Sequence, residues 1–386
     1  MARSIVIPFI PGDGIGPEIM AVSRRAMDAA VRRATGDSAR ITWTELAAGE
    51  AAFKKTNQWL PPDTLSAIQT HGFALKGPLT TPVGSGIRSL NVAIRQALDL
   101  YANVRPVRFF VGVPSPVKSP QKMNMVIFRE NTEDVYKGIE WKRGSAEAAS
   151  VLKLARSMGA SIREDSGLGI KPISEYASKR LVRAAIRYAI KKRLPSVTIV
   201  HKGNIMKFTE GAFRDWGYEV AKTEFAGESV AESDVCSMPV DGKVIVKDRI
   251  ADNMFQQILT RPEEYSVLAT PNLNGDYLSD ACAAQVGGLG LAPGANFGES
   301  VAVFEAVHGT APKYAGKDIA NPCSLMLSGA MLLDHVGLEP ASTALVKAIE
   351  GTLAEGIMTQ DLARLGEGIR SVGTTAFAAE VIRHLG

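Results

Sequence analysis

Cysteine is scarce. Cys236, Cys282 and Cys323 are the only three in 386 residues, and they stand far apart without CxxC or other metal-site spacing. That pattern excludes a disulfide framework and a thiolate zinc centre, and it points to reduced thiols in a reducing compartment. Histidine is sparse too, with five residues scattered along the chain, so no imidazole cluster competes for a metal. No apolar run approaches the roughly 18 to 20 residues that cross a bilayer. The opening MARSIVIPFIPGDGIG passes from a short apolar strand straight into a turn and lacks the pattern of a secretory signal, so a cytoplasmic protein is expected. The 44 Lys and Arg residues against 40 Asp and Glu give a net charge of +4, but the basic residues form no run that would track a nucleic-acid backbone. A mild, dispersed positive excess suits small acidic substrates better than a polymer.

What remains is an ordinary α/β composition, 46% hydrophobic, 22% charged and with 36 glycines, in a chain long enough for two lobes. Residues 4–10 read as a buried strand and PGDGIGPE as a tight turn. An amphipathic helix follows over 18–34, with Pro17 as its first residue, and then a strand over 40–47, so the unit is a parallel crossover. A strand in HGFALKGPL ends at the loop TTPVGSGIRSLN, and helical periodicity follows over 91–104. Strands are expected in VRFFVGVPSP and NMVIFREN, whereas 144–173 is polar and weakly patterned, as an arm or insertion would be. Ser174 is placed to cap a helix over 174–192, followed by the strand SVTIVHKG, a helix over 208–226, strands over 243–250 and 266–270, and helices near 322–336 and 340–354.

The most informative segment is NLNGDYLSD, residues 272–280. Asp276 and Asp280 lie four apart at a helix start, where side chains one turn apart share a face and two acids repel unless a cation sits between them. Asn274 and Gly275 read as the turn that opens this helix. Taken alone, a DxxxD pair is more often two solvated surface acids. Asp252, in KDRIADNMFQQILTR, is a third acid available to an oxygen-only site, which favours Mg²⁺ or Mn²⁺ over zinc. Arg95 follows Asn91 by four residues and Ser89 by six, and Arg105 and Arg129 lie beyond. A guanidinium grips a carboxylate through two parallel N–H bonds, so three of them fit a substrate with several carboxylates, although each singly is more often structural. Tyr136 and Lys202 are proton-transfer candidates, the ordinary alternatives being a half-buried packing ring and a solvent-facing strand end. GDGIG is a weak dinucleotide signal because Pro17 occupies the place of the third glycine; a plain strand-to-helix turn explains it equally well. HGTAPKYAG, 308–316, combines small residues with Lys313 and Tyr314, a cation and a planar group suited to a phosphate and its ribose.

Five segments in one order, KGPLTTPVGSGIRSLNVAIRQALDLYANVRPVR, VIFRENTEDVYKGIEW, VHKGNIMKFTEGAF, NLNGDYLSDACAAQVGG and EAVHGTAPKYAGKDIANP, resemble the isocitrate and isopropylmalate dehydrogenase family almost end to end. The resemblance implies an α/β protein that is not a Rossmann fold. A large domain would span 1–100 and 287–386, a small domain 101–133 and 175–286, and a clasp-like arm 134–174. It implies oxidative decarboxylation of isocitrate to 2-oxoglutarate, a step of the tricarboxylic acid cycle, with NADP⁺ and Mg²⁺ or Mn²⁺. Ser89, Asn91, Arg95, Arg105 and Arg129 match the family's substrate residues, Tyr136 and Lys202 its proton-transfer pair, and Asp252, Asp276 and Asp280 its metal ligands. In the family the lysine and the first aspartate come from the neighbouring subunit, so a homodimer is implied. Nucleotide contacts would include Thr81, His308, Gly309, Thr310, Ala311 and Asn321. Lys313, Tyr314, Arg364 and Arg261 would face the 2′-phosphate. Ser89 and Asn91 favour isocitrate over isopropylmalate, since relatives using the latter have apolar residues there; homoisocitrate and tartrate are same-class alternatives. A regulatory subunit would be expected to lack the tyrosine, the lysine or an aspartate, and a Rossmann-type binding module leaves the acids and arginines unexplained. One departure stands out: Gln360 replaces the tyrosine that NADP enzymes of this type usually carry four residues before the arginine.

Overall fold

The computed structural model describes residues 3–80, 89–236 and 240–386. Its strands are β1 (Arg3–Ile10), β2 (Ala39–Glu45), β3 (Phe73–Lys76), β4 (Ala102–Arg108), β5 (Asn124–Glu130), β6 (Ile139–Trp141), β7 (Leu168–Ile170), β8 (Ser196–His201), β9 (Ser229–Ala231), β10 (Val244–Ile250), β11 (Val267–Thr270), β12 (Pro293–Phe297), β13 (Ala302–Ala306), β14 (Ile357–Met358) and β15 (Arg370–Ser371). Eleven of these form one sheet in the order β2-β1-β3-β13-β12-β4-β5-β11-β8-β10-β9. The two flanks are parallel, whereas β12 runs antiparallel to both β13 and β4, and β4 antiparallel to β5. Strands buried on both faces read as apolar runs, which is why SVTIVH and VLAT were legible as strands. Each flank has its own core. One packs β1 and β13 against the helices Gly16–Thr35, Cys323–His335 and Glu339–Ala354; another packs β8 and β11 against the helices Glu175–Lys191 and Glu210–Glu224.

Several local expectations hold. Ser174 Oγ accepts the Ala177 N–H at 3.2 Å and caps the helix Glu175–Lys191, and Pro17 lies in the first turn of the helix Gly16–Thr35. Others are corrected. The helix expected over 91–104 is only Leu90–Ala97, because Asp99 turns left-handed at φ 44°, Leu100 N–H bonds back to Arg95 O at 2.8 Å, and the apolar residues beyond belong to β4. The strand expected over 107–116 ends at Arg108. Inside 144–173 lies a full helix, Ala146–Ser157, capped by Ser145 Oγ on Ala148 N–H at 3.1 Å. It buries only Ala148 and Leu152 while Leu154 is exposed, which blurs the amphipathic signal. The hairpin of β6 and β7 completes this arm.

GDGIG does structural work. Gly14 turns at φ 58°, and a Cβ there would stand 2.1 Å from Thr310 O, while Ile15 N–H donates to that same carbonyl at 2.9 Å. Asp13 accepts the backbone N–H of Glu50 and of Thr80, each at 2.8 Å. The turn therefore fastens two loops, at 77–80 and 308–314, to the edge of the sheet.

Candidate active site

The strand register sets polar residues side by side from β3 across the antiparallel middle of the sheet to β5. Lys76 pairs with Glu305, Asn296 with Asn103, and Asn103 with Arg129. Glu305 is the hub of one end. Its carboxylate accepts Lys76 Nζ at 2.7 Å, Arg95 Nη2 at 2.9 Å and Asn296 Nδ2 at 2.7 Å. Asn296 Oδ1 in turn accepts Asn103 Nδ2 at 2.6 Å and Asn131 Nδ2 at 3.0 Å, and Asn103 Oδ1 accepts Arg105 Nε at 2.8 Å. Burial would push the Glu305 carboxyl up, but Lys76 and Arg95 overturn that and hold it well below its ordinary range.

The helix Asn272–Gln285 lays its first turns against this row. Pro271 precedes it, so Asn274 and Gly275 lie within the first turn and are not the turn that opens it. Gly275 is there for close approach: a Cβ would come within 2.3 Å of Thr270 Oγ1 and 2.7 Å of Arg129 Cβ. Asp276 accepts from Arg129 Nη1, and its other oxygen takes the Tyr136 hydroxyl at 2.5 Å. Arg105 Nη1 donates to Ser279 Oγ at 2.6 Å and to Asp280 Oδ1 at 3.2 Å. The Arg129 guanidinium also stacks 4.8 Å from the Tyr136 ring and is fixed by Asn272 Oδ1 at 2.8 Å.

These contacts set the charge states. Burial, with Arg105 and Arg95 nearby, brings Arg129 down from 12.5 to about 10, so it stays cationic at neutral pH. Burial pushes Asp276 up, but Arg129, Tyr136 and Arg105 outweigh it and leave it lowered, whereas burial prevails at Asp280 and raises it. Burial and the bond to Asp276 push the Tyr136 phenol up to about 12, which keeps its proton in place.

Lys202, at the end of β8, pairs with Asp252 on the helix Ala251–Thr260. Among the described residues no group of three or more Asp, Glu, His or Cys side chains is poised around one point, so a single chain does not bring Asp252 to Asp276 and Asp280. Ser89 sits at the N-cap of the helix Leu90–Ala97, and Asn91 Oδ1 accepts Lys76 Nζ at 3.0 Å.

Two cavities meet at His308 and Gly309. The first is lined by Lys76, Asn91, Arg95, Asn103, Arg105 and Glu305; the second by Ile15, Ala311, Tyr314, Asn321, Gln360 and Arg364 among others. His308 Nδ1 lies 3.0 Å from Gly309 O and so carries the proton, and its buried Nε2 has no partner among the described residues. Ala311 is held left-handed at φ 39°. Asn321 and Asp361 press closely on Gly290, where a Cβ would be 2.7 Å from both Asn321 Nδ2 and Asp361 Oδ2. Thr310 and Lys313 belong to the same loop, with Lys313 exposed. Arg261 lies elsewhere, at the end of the Asp252 helix beside Glu264 at 3.7 Å, and Thr81 falls outside the described residues.

Lys76, Glu305, Asn103, Asn296 and Asp361 escaped the sequence reading. A lysine ending FALK and a glutamate inside AVFEA are charged residues in otherwise buried strands, and that was the available signal.

The sequence model of isocitrate/isopropylmalate dehydrogenases matches residues 6–381. The chain belongs to this family. It is 57% identical to the NADP isocitrate dehydrogenase of Archaeoglobus fulgidus over 98% of the chain and 92% of the relative. It is 55% identical to the NADP isocitrate dehydrogenase of Pseudomonas aeruginosa over 98% and 93%. The crystal structure of isocitrate dehydrogenase from Methylococcus capsulatus superposes with a TM-score of 0.82 at 37% identity, covering 100% of this chain and 99% of that one. With that, the family fold expected from the sequence is established, the dinucleotide reading of GDGIG is set aside, and no described helix is long and apolar enough to cross a membrane.

Proposed function

We propose that this family member oxidatively decarboxylates isocitrate to 2-oxoglutarate and CO₂ with reduction of NADP⁺, as a homodimer whose two sites are shared between copies. The observation that carries the reading is the row of buried guanidinium groups, Arg105 and Arg129 with Arg95 beside them, opposite two aspartates one helix turn apart. Such a site offers anchors for several carboxylates and ligands for a hard cation in one place, and each set neutralises the other until a ligand bearing both kinds of charge arrives. Relatives named as NADP isocitrate dehydrogenases at 55–57% identity support the same substrate and cofactor.

The residues fit a divalent ion and a nicotinamide nucleotide. Asp276 and Asp280 would hold the ion with Asp252 of a second copy, and an all-carboxylate donor set suits Mg²⁺ or Mn²⁺. The second cavity, with its unpartnered His308 Nε2 and the Asn321 and Asp361 side chains drawn close over Gly290, would hold the nucleotide, with Lys313, Tyr314 and Arg364 toward the 2′-phosphate. When bound, the ion supplies positive charge beside the C2 hydroxyl and its neighbouring carboxylate, and the nicotinamide accepts the hydride. The chain's own groups do the rest. Arg95, Arg105 and Arg129 clamp the carboxylates, Ser89 and Asn91 offer hydrogen bonds to the third, and Tyr136 keeps a proton ready for the carbon that loses CO₂. Lys202, from the neighbouring copy, would move the hydroxyl proton.

Shared sites are supported by the pairing of Lys202 with Asp252 apart from Asp276, and by exposed apolar side chains next to both Lys202 and the arm. Ile205, Phe208, Leu154 and Met158 all face solvent in the single chain, as residues awaiting a partner do. The large and small domains and the arm are assigned over 1–100 with 287–386, 101–133 with 175–286, and 134–174.

The test follows absorbance of reduced nicotinamide with isocitrate and NADP⁺ or NAD⁺, with and without chelator. Turnover with NADP⁺ that chelator abolishes and added Mg²⁺ or Mn²⁺ restores is expected; turnover indifferent to metal, or seen only with isopropylmalate, overturns the reading.

A further inference from the structure

Glu210 is fully buried at the first turn of the helix Glu210–Glu224 and gathers three donors from three separate segments. Its carboxylate accepts the backbone N–H of Lys202, Asn274 Nδ2 at 2.8 Å, and Lys171 Nζ from the arm. Lys171 Nζ also lies 3.3 Å from Asp134 Oδ1. Asp134 opens the short helical turn Asp134–Lys137 that carries Tyr136; it is buried, held left-handed at φ 67°, and its carboxylate accepts the N–H of Val135 at 2.7 Å and of Leu273 at 3.0 Å. Leu273 and Asn274 lie three and two residues before Asp276 in the helix Asn272–Gln285.

We infer that Glu210, Lys171 and Asp134 form a positioning cluster that fixes both half-sites of one chain, Tyr136 with Asp276 on one side and Lys202 on the other. None of the three is placed to touch substrate; they act through the backbone and through Asn274. Two carboxylates and one ammonium in a largely dry site are a costly way to hold segments together, and an apolar trio would serve mere packing as well or better. What the charges add is direction. Each carboxylate oxygen faces a specific N–H, so the three segments have one relative arrangement rather than a range. The inference rests on the shared-site reading above, and under it gains a consequence: because one chain's Tyr136 and Lys202 then serve different sites, a single cluster sets the geometry of half of each.

Mixed dimers separate the two ideas. A copy bearing Lys202→Met combined with a copy bearing Arg129→Met yields a dimer with one intact site and one doubly disabled site, so activity above that of either variant alone is expected; its absence would sink the shared-site reading and this inference with it. Glu210→Gln is then added to one copy or to the other. The cluster predicts a fall in kcat of roughly tenfold in both placements, the scale of small misplacements of reacting groups, with the KM for NADP⁺ unchanged. A loss in one placement only, or in neither, would leave shared sites standing and overturn the coupling role. Lys171→Met, which leaves Glu210 in place, repeats the comparison should Glu210→Gln fail to assemble, and Lys171→Arg is expected to recover most of the lost kcat.

Discussion

The two cavities that meet at His308 are built by opposite means. The cavity proposed for the substrate is walled by charged side chains buried on strands and on one helix; Arg105 and Glu305 in its wall, like Arg129 beyond it, each have at least two fixed partners. The cavity proposed for the nucleotide is lined largely by loop residues, and Tyr314, Gln360 and Arg364 in it, like Lys313 beside it, are exposed to solvent. The difference teaches where each specificity can change. Altering the substrate means rearranging a buried ion network, whereas altering the cofactor means changing exposed side chains on a scaffold that stays put.

The comparison breaks most visibly at Arg129. Arg129→Met leaves Asp276 without its closest cation in a half-buried site, and kcat/KM for isocitrate is expected to fall by about 10² to 10³, the effect of removing one partner of a buried pair. Steady-state kinetics against NADP⁺ held at saturation would check it, and a loss under tenfold would show that the network tolerates change. Next in size is an acid dependence set by Glu305. Its ordinary value is 4.5 and its folded value lies well below that, because Lys76 and Arg95 overcome the cost of burial. Its contribution to stability is complete above pH 4.5 and is lost as pH falls toward the folded value, since only the unfolded chain takes up the proton. Unfolding free energy should therefore drop by about 1 kcal/mol more in the native protein than in Glu305→Gln on going from pH 4.5 to 3.5. Equal slopes in urea titrations would remove the assignment. Smallest is the exposed side of the nucleotide cavity. Lys313→Met is expected to lower the preference for NADP⁺ over NAD⁺ by about fivefold, since a solvated charge contributes about 1 kcal/mol. A change as large as that at Arg129 would mean the loop is as rigid as the substrate wall.

The same contrast governs what the sequence made legible. Arg95, Arg105, Arg129, Asp276 and Asp280 declare their chemistry through residue type, and the four-residue spacing of the aspartates survives into the helix Asn272–Gln285. Lys76, Glu305, Asn103 and Asn296 stand in four separate strands, and only the strand order β3-β13-β12-β4 makes them neighbours. Nothing local foretells that order, because β12 and β13 enter the sheet from almost two hundred residues beyond β4. The helix inside the arm was hidden for another reason. The helix Ala146–Ser157 exposes Leu154 while burying Leu152, so its periodicity mixes the face it turns to its own chain with the face it shows outward.

The placement of β12 and β13 between β3 and β4 also bears on how the chain is assembled. Until residues 293–306 are available, the earlier strands form two separate half-sheets, each ending in a raw edge of unpaired amides at what will be the middle of the molecule. A late hairpin must then slot between them, closing loops of very high sequence separation in one step. The keystone of the architecture arrives after the stones it locks, and until it does unpaired edges of this kind favour association between chains.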